Sequence, residues 1–221
     1  VVWENHLVRV REDVPLDKVA LVGCAVMTGV GAVVNRAKVE AGATVAVWGC
    51  GGVGLNVVQG AQLAGASRII AVDVNPFKLE VASRLGATGT VNAEETEPAE
   101  AVRQMTAGGV DYAFDVIGSP TTVLQAFEAT CAGGTCVIVG APPEGGELAI
   151  PMKPLFLDRT VMGSSAGSGR PRADFPWILD LYTQGRLKLD DLVTRTRPLE
   201  EVNQAFRDME DGRVARTVLV P

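Results

Sequence analysis

Residues Thr44–Asp73 read TVAVWGCGGVGLNVVQGAQLAGASRIIAVD, and the expected architecture of the whole chain builds on this segment. A short apolar run leads into a glycine-rich turn, a helical pattern follows to Ala66, and a second apolar run ends on an acidic residue. The spacing G-x-G-x-x-G falls on Gly49, Gly51 and Gly54. This order predicts a strand, a tight turn, a helix and a second strand.

Each glycine of the turn has a separate physical role. Gly49 permits the tight turn, Gly51 lets the backbone approach a pyrophosphate, and Gly54 lets the helix pack close to the sheet. Gly52 and Val53 complete the turn at the helix N-terminus, where unpaired N–H groups and the helix dipole favour an anion. The segment therefore predicts a dinucleotide site, and the alternative is a glycine turn that only packs a helix on a sheet.

Asp73 lies 19 residues after Gly54, at the end of the second predicted strand. An acid about 20 residues after the turn is placed to hydrogen-bond an adenosine ribose hydroxyl. Because a carboxylate there repels a 2′-phosphate, the sequence predicts NAD rather than NADP. The flanking strands, helix and acid give the motif its specificity, since glycine turns are common in a chain with 25 glycines.

Composition and charge exclude several classes of protein. The chain has 221 residues, 47% of them hydrophobic and 21% charged, as expected for a folded protein rather than a disordered one. The net charge is −6 and the pI is about 4.9. Binding to nucleic acid or to an anionic membrane needs a basic surface, and the sequence has no run of Lys and Arg that would supply one. Nucleic acid is therefore not an expected partner.

The sequence also predicts no membrane association. The longest apolar runs are interrupted by glycine, Asp or Lys before they reach the roughly 18 residues of a membrane span. The opening residues carry charges where a signal peptide would be apolar. Four cysteines without a disulfide-scaffold pattern favour a reducing compartment, so a cytoplasmic location is expected.

Strand and helix patterns alternate along most of the chain. A helix is expected over 16–27, with an interruption at 28–31 and a continuation over 32–39. Strands separated by helices of about ten residues imply a parallel sheet with both faces covered. The fold class is thus α/β, a doubly wound, six-stranded parallel sheet of the Rossmann type. The predicted strands are 44–48, 68–72, 88–91, 110–116, 134–139 and 159–162.

Small or flexible residues follow the last three predicted strands. The fourth strand ends in Val116-Ile117-Gly118, the fifth in Val139-Gly140-Ala141, and the sixth in residues 163–167, GSSAG. In a doubly wound sheet the ligand lies along the carboxyl ends of the strands. These residues are therefore candidates for close approach to a cofactor, although glycines also occur at strand ends in α/β scaffolds without a ligand.

The last fifty residues differ in character from the alternating region. They predict helix, loop, helix and a final strand over 214–220, too little for an independent core. Arg213 and Arg216 lie at the start of this strand, where either side chain could reach a pyrophosphate or remain solvated. His6 is the only histidine and is interpreted as a packed or surface residue. Because the chain opens on Val1, we expect it to belong to a longer polypeptide.

The run LVGCAVMTGVGA over 21–32, together with the glycine-turn segment, resembles the zinc-dependent medium-chain alcohol dehydrogenases. The similarity continues through DVIG, VIVGAPP, PLEEVNQAF and ARTVLV. It implies that 1–24 belong to an N-terminal catalytic domain and its linking helix, most of which is missing. Residues 25–167 would then form the NAD-binding domain, and 168–221 the C-terminal return into the catalytic domain. The resemblance also implies a homodimer or homotetramer, with Glu147–Ile150 or the sixth strand near the contact.

The resemblance assigns roles that the residues alone do not. Cys24, which by composition alone reads as a small buried apolar residue, matches the third protein ligand of the catalytic zinc. The other two ligands, a cysteine and a histidine, would lie in the missing part. Cys50, Cys131 and Cys136 lack the spacing of the family's structural zinc site and are interpreted as core residues.

The remaining matches concern the coenzyme. Thr28 matches a residue beside the nicotinamide, Lys78 a group at the adenosine ribose, and Arg216 a pyrophosphate-binding arginine. Val116, Val139, Ala141, Ser164 and Ala166 match positions at the nicotinamide end. The residues expected at the cofactor are Thr28, Gly49, Gly51, Gly52, Val53, Gly54, Asp73, Lys78, Val116, Ile117, Val139, Gly140, Ala141, Ser164, Ala166 and Arg216.

The function implied by the resemblance is hydride transfer between an alcohol or aldehyde and NAD, with zinc as Lewis acid. The chain by itself would bind NAD without turning over substrate, because it carries one zinc ligand of three. One alternative is a dehydrogenase of the same family that oxidises a thiol adduct of formaldehyde. Another is a nucleotide-binding module without catalytic activity.

Overall fold

The computed structural model describes residues 2–4, 7–212 and 214–221. The predicted positions of His6 and Arg213 lie outside these residues. The elements are α1 (Leu16–Ala37), β1 (Thr44–Trp48), α2 (Gly52–Leu63), β2 (Arg68–Asp73), α3 (Pro76–Arg84), β3 (Gly89–Asn92), α4 (Pro98–Met105), β4 (Val110–Asp115), α5 (Pro120–Glu128), β5 (Thr130–Ile138), α6 (Met152–Phe156), β6 (Thr160–Gly163), α7 (Pro171–Thr183), β7 (Arg195–Pro198), α8 (Val202–Glu210) and β8 (Thr217–Val220).

Six of the strands form one parallel sheet in the order β3-β2-β1-β4-β5-β6. Because β1 lies between β2 and β4, the chain leaves the sheet in opposite directions on either side of this point. Ligands of doubly wound sheets bind at such a reversal, outside the carboxyl ends of the strands. The predicted fold class is confirmed.

Both faces of the sheet are covered, as the apolar strands require. On one face Val47 and Phe114 pack with α1 and α2, and on the other Trp48 packs with α4 and α5. A third cluster joins α1 and α2 to the C-terminal segment through Ile178 and Val218. This segment therefore shares its core with the helices beside the sheet, and the domain boundaries expected near residues 24 and 167 remain predictions.

The interruption of the first helix at 28–31 was predicted wrongly. Helix α1 is continuous, with α-helical turns at Leu16–Leu21 and Met27–Gly31 and π-helical turns at Val22–Val26 and Ala32–Ala37. The glycines in this stretch serve close packing instead of ending the helix. A Cβ on Gly29 would lie 2.5 Å from the carbonyl oxygen of Val53, and one on Gly31 would lie 2.5 Å from that of Gly167.

Because α1 is continuous, it is longer than any apolar segment expected from the sequence. Within the described part of the chain, Leu16–Ala37 is one helix long and apolar enough to cross a membrane, with a mean hydropathy of 1.6. Of the most apolar 18-residue stretch of this helix, 56% is buried inside the structure. A buried core helix passes the same test, so this is weak support for a membrane span.

Two features of the strands differ from the predictions. Strand β5 begins at Thr130 instead of residue 134, and its register against β4 shifts between Val110 and Tyr112. Strand β7, which pairs in parallel with the predicted final strand β8, was missed because it reads Arg-Thr-Arg-Pro and has no apolar alternation. Its arginines are held by the buried carboxylate of Asp208 on α8, a contact that no local pattern indicates.

Candidate functional site

The glycine turn between β1 and α2 has the geometry that the sequence predicted. Gly49 has a φ of +91° and donates its N–H to the carbonyl oxygen of Val72 at 2.8 Å. A Cβ on Gly54 would lie 1.8 Å from the carbonyl oxygen of Gly49, so the turn and the helix meet without room for a side chain. Among the described residues no side chain caps α2 at Gly51, which leaves the first N–H groups of the helix available to an anion.

Asp73 is fixed at the carboxyl end of β2. Its carboxylate is buried and accepts hydrogen bonds from the backbone N–H of Cys50 at 2.7 Å and of Asn75 at 2.9 Å. These bonds join the glycine turn to the turn that follows β2. Each carboxylate oxygen has further acceptor capacity, so Asp73 is positioned to accept a hydroxyl from a ligand.

Arg216 lies directly over the N-terminus of α2. A Cβ on Gly52 would lie 1.9 Å from Nε of Arg216, and this Nε is buried without a hydrogen-bond partner in the described residues. A guanidinium beside the positive end of a helix dipole is electrostatically unfavourable unless an anion neutralises both. The guanidinium of Arg216 and the N-terminus of α2 together have the arrangement of an anion-binding site.

These residues border an open cavity of about 490 Å³ outside the carboxyl ends of β1, β2 and β4. Gly54 packs against the carbonyl oxygen of Gly49 and does not line the cavity. The predicted residues that line the cavity are Gly49, Gly51, Gly52, Val53, Asp73, Lys78, Val116, Ile117 and Arg216.

Half of the residues in the cavity wall were not predicted from the sequence. Val72 and Val74 flank Asp73 on and after β2, so their position next to the predicted acid was a usable signal. Trp48 likewise precedes the predicted Gly49, and Val214 and Ala215 precede Arg216, whereas the others come to the cavity only through tertiary contacts. The missed lining residues are Trp48, Val72, Val74, Ala93, Thr122, Gln125, Met209, Val214 and Ala215.

A second group of predicted residues lies along the ends of β4, β5 and β6 without lining this cavity. The N–H groups of Val139 and Gly140 both donate to the carbonyl oxygen of Asp115, and that of Ser164 donates to Ile138. A Cβ on Gly140 would lie 2.3 Å from the backbone nitrogen of Gly118, so these strand ends are in close contact.

Thr28 and Ala166 lie on opposite sides of the contact between α1 and the turn after β6. Gly167, next to Ala166, approaches the backbone of α1 so closely that a Cβ there would lie 2.9 Å from the carbonyl oxygen of Thr28. Ala141 is exposed and abuts Gly118. Thr28, Val139, Gly140, Ala141, Ser164 and Ala166 thus form a border beyond the cavity, and their contact with a nicotinamide remains a prediction.

Cys24 is exposed on α1, contrary to its reading by composition alone. It borders a separate depression of about 320 Å³ between α1 and β8, to which Arg216 and Leu219 also contribute. Within the part of the chain that the structure describes, no three His, Cys, Asp or Glu residues are grouped for metal binding. At this depression the described residues therefore provide one thiol, that of Cys24, and do not by themselves form a zinc site.

The other three cysteines divide into two kinds. Cys50 and Cys136 are buried, and burial raises the pKa of the Cys136 thiol to about 12 and that of Cys50 further. Cys131 is only partly buried and lies 3.8 Å from a carboxylate oxygen of Asp111. The prediction that all three are core residues is correct for Cys50 and Cys136 and wrong for Cys131.

Comparison with known proteins adds independent information on this site. The family model described as zinc-binding dehydrogenase matches residues 52–184, more than half of the chain and including all of α2. The chain belongs to the zinc-binding dehydrogenase family. This confirms the family expected from the glycine-turn segment and from the run over 21–32.

Among curated relatives, this zinc-binding dehydrogenase chain is 40% identical over 230 residues to the alcohol dehydrogenase class-3 of Cereibacter sphaeroides. It is 39% identical over 228 residues to the S-(hydroxymethyl)glutathione dehydrogenase of Paracoccus denitrificans. Each match covers 100% of this chain and 61% of the relative. The chain thus spans about six-tenths of the length of these relatives.

Solved structures agree with this assignment. The benzyl alcohol dehydrogenase of Acinetobacter calcoaceticus superposes with a TM-score of 0.94 at 36% identity, over 98% of this chain and 60% of that one. A zinc-binding domain protein of the alcohol dehydrogenase type from Burkholderia ambifaria gives a TM-score of 0.94 at 38% identity, over 99% and 59%. The six-stranded sheet and its flanking segments are therefore a shared architecture.

Proposed function

We propose that this chain is the NAD-binding portion of a zinc-dependent dehydrogenase that transfers hydride between an alcohol or aldehyde and NAD. The observation that carries the proposal is the guanidinium of Arg216 over the N-terminus of α2, with its buried Nε unpaired among the described residues, on the wall of the cavity that also contains Asp73. A dinucleotide brings a pyrophosphate and a ribose diol, the two groups that these residues are suited to bind.

Each part of the cavity then has a role in holding the coenzyme. Arg216 and the free N–H groups of α2 neutralise the pyrophosphate, while Asp73 and Lys78 hydrogen-bond the adenosine ribose. Val116 and Ile117 supply apolar contact at the cavity floor. When bound, the coenzyme supplies the hydride acceptor, and the protein supplies binding and orientation.

The nicotinamide end is proposed to lie along the border formed by Val139, Gly140, Ala141, Ser164, Ala166 and Thr28. The close contacts between the ends of β4 and β5 leave little freedom in this backbone. The hydroxyl of Ser164 is buried without a hydrogen-bond partner in the described residues, so it is available to a polar group. This is consistent with a border that orients a flat ring.

A fluorescence titration with NADH and with NADPH tests the proposal. We expect NADH to bind at least about tenfold more tightly, because the 2′-phosphate of NADPH would face the Asp73 carboxylate. In Asp73→Asn this preference should disappear. Asp111→Asn removes a carboxylate at the opposite end of the sheet, where Asp111 accepts from Thr44, and should leave the preference unchanged. Absence of NADH binding by the unsubstituted chain would refute the proposal.

The zinc chemistry requires residues beyond those described. Cys24 is proposed as one thiolate ligand, and two more ligands would have to come from another part of the parent protein. We therefore expect the chain alone to bind coenzyme without oxidising alcohols. Zinc-dependent alcohol oxidation by the purified chain would contradict this.

A second candidate function is oxidation of a thiol adduct of formaldehyde. It is favoured by the name of the Paracoccus denitrificans relative, S-(hydroxymethyl)glutathione dehydrogenase. The two candidates share the coenzyme site and differ in the substrate pocket. Comparing turnover of a simple alcohol and of S-hydroxymethylglutathione by the parent protein would distinguish them.

We also propose that the chain self-associates through the β6 edge of the sheet. Within the described strands β6 pairs only with β5, so its outer edge is open. The neighbouring helix α6 exposes Met152 and Phe156, each to 85%. The residues of β6 itself are uncharged, although Nε of Arg36 donates to the carbonyl oxygen of Gly163 at 2.7 Å, and such a strand beside exposed apolar side chains favours pairing with a second copy.

A further inference from the structure

Asn75 makes three hydrogen bonds at the edge of the cavity, one of them to the lining residue Asp73. Its backbone N–H donates to Oδ1 of Asp73 at 2.9 Å. Its side-chain oxygen accepts the N–H of Phe77 at 3.0 Å and so caps α3. Its side-chain Nδ2 donates to the carbonyl oxygen of Gly212 at 3.0 Å, which connects the turn after β2 to the C-terminal segment.

The segment that Asn75 contacts forms the outer wall of the cavity. We call Met209–Gly212 together with Val214–Arg216 the C-terminal strap. It supplies Met209, Val214, Ala215 and Arg216 to the cavity lining. Other hydrogen bonds of the strap stay within the C-terminal segment: Ala215 N–H donates to the hydroxyl of Thr194, and the N–H groups of Thr194 and Arg195 both donate to the carbonyl of Arg216.

The contact at Gly212 has no room for a side chain. Gly212 has a φ of +66°, and a Cβ there would lie 2.6 Å from Nδ2 of Asn75. The backbone of the strap therefore approaches Asn75 directly. Arg216 follows four residues later in the sequence, so this contact lies close to the residue that carries the guanidinium.

We propose that Asn75 is a positioning residue that holds the C-terminal strap closed and thereby places Arg216 over the N-terminus of α2. This inference rests on the NAD-binding function proposed above. A binding group that is in place for only a fraction of the time lowers the apparent affinity by that fraction. The backbone N–H of Asn75 holds Asp73 and its side chain holds the strap, so one residue connects the ribose contact to the pyrophosphate contact.

Asn75→Ser separates this role from helix capping. Serine is an equally good N-cap, but its side chain is too short to reach Gly212. Glu97→Ala is the matched control, because Glu97 caps α4 through the N–H groups of Ala99 and Glu100 and lies outside the cavity lining. We expect Asn75→Ser to weaken NADH binding roughly fivefold, the value of one hydrogen bond, and Glu97→Ala to leave it unchanged.

A double-mutant cycle with Arg216→Met shows whether Asn75 acts through the strap. If it does, Asn75→Ser causes little further loss of NADH affinity once Arg216 is gone, because the two substitutions remove one shared effect. A full fivefold loss in the Arg216→Met background would overturn the positioning role, since Asn75 would then act independently of the guanidinium.

Hydrogen exchange of the free chain provides a readout that needs no ligand. Amides of the strap should exchange roughly fivefold faster in Asn75→Ser and at the parental rate in Glu97→Ala. Unchanged exchange in Asn75→Ser would overturn the inference even if NADH binds normally. Failure of the unsubstituted chain to bind NADH, with faster strap exchange in Asn75→Ser, would refute the proposed function while supporting the closure of the strap by Asn75.

Discussion

At the scale of single residues, the four cysteines differ sharply in environment. Cys24 is exposed, whereas Cys50 and Cys136 are buried and have raised thiol pKa values, about 12 for Cys136. Because only the thiolate is nucleophilic, alkylation of the native protein at pH 8 should modify Cys24 at least about 100-fold faster than either buried thiol. Peptide mass spectrometry measures the rates, and in urea all four should react. Comparable native rates for Cys24 and Cys136 would contradict the described burial.

Two glycines of the same turn should respond differently to alanine. Gly51 has a φ of −75°, which alanine adopts freely, and a Cβ there meets nothing within 4 Å. Gly51→Ala should therefore keep the free energy of unfolding within about 1 kcal/mol of the parent. Its methyl group would nevertheless enter the proposed pyrophosphate position and weaken NADH binding about tenfold or more.

Gly54→Ala should instead affect folding, because its Cβ would lie 1.8 Å from a backbone oxygen of Gly49. We expect a loss of at least about 2 kcal/mol in the free energy of unfolding. Urea denaturation and NADH titration of both variants check the pair. Normal stability of Gly54→Ala would contradict the close packing of the turn against the helix. Normal NADH binding by Gly51→Ala would contradict the proposed pyrophosphate position.

At the scale of elements, β7 and α8 are joined by a buried carboxylate. Arg197, Gln204 and Arg195 lower the pKa of Asp208 to about 2 from its ordinary value of 3.8. The folded protein therefore binds fewer protons than the unfolded chain between these values. The stabilisation is complete above about pH 4 and is lost as the pH falls towards 2.

Asp208→Asn should lower the melting temperature at pH 7 by about 4 °C or more. The difference from the parent should shrink below pH 4 and disappear near pH 2. Melting followed by circular dichroism at several pH values measures this. A difference that is the same at pH 7 and pH 2.5 would show that the carboxylate charge does not stabilise this pair of elements.

The same elements show what local sequence can and cannot predict. The core strands β1, β2 and β4 have continuous apolar runs with clear ends, and they were predicted to within one residue. The glycines of α1 suggested an interruption, because their role in packing against Val53 and Gly167 depends on partners distant in sequence. Strand β7 was invisible for the same reason, since its arginines are neutralised by Asp208 from another element.

At the scale of the whole molecule, the candidate site combines residues that a local motif predicts with residues that only tertiary contacts bring together. The glycine turn and Asp73 form a local motif with known spacing, so these parts of the inner wall followed from the sequence, whereas their neighbours Trp48, Val72 and Val74 were missed. Of the outer wall, Arg216 was one of two candidates at the start of the final strand and was assigned by the resemblance, whereas Met209, Val214 and Ala215 were missed. Their position depends on the close approach of Gly212 to Asn75, a contact between residues 137 positions apart.

The open edge of the sheet leads to a prediction about the molecule as a whole. The outer edge of β6 has no partner among the described strands, and Met152 and Phe156 on the adjoining helix are each 85% exposed. If two copies meet across this edge in a symmetric dimer, burial of these side chains stabilises the dimer twice, once from each copy. We therefore expect the parent chain to be dimeric by light scattering.

Replacing Met152 and Phe156 together by lysine should raise the dimer dissociation constant at least about 100-fold, because each copy loses two apolar contacts and gains like charges. Leu199→Lys is the control, since Leu199 is also exposed, to 54%, but precedes α8 at a distance in sequence from this edge. Unchanged circular dichroism would show that the double variant folds. A monomeric parent, or a double variant that remains as dimeric as the Leu199→Lys control, would exclude this edge as the interface.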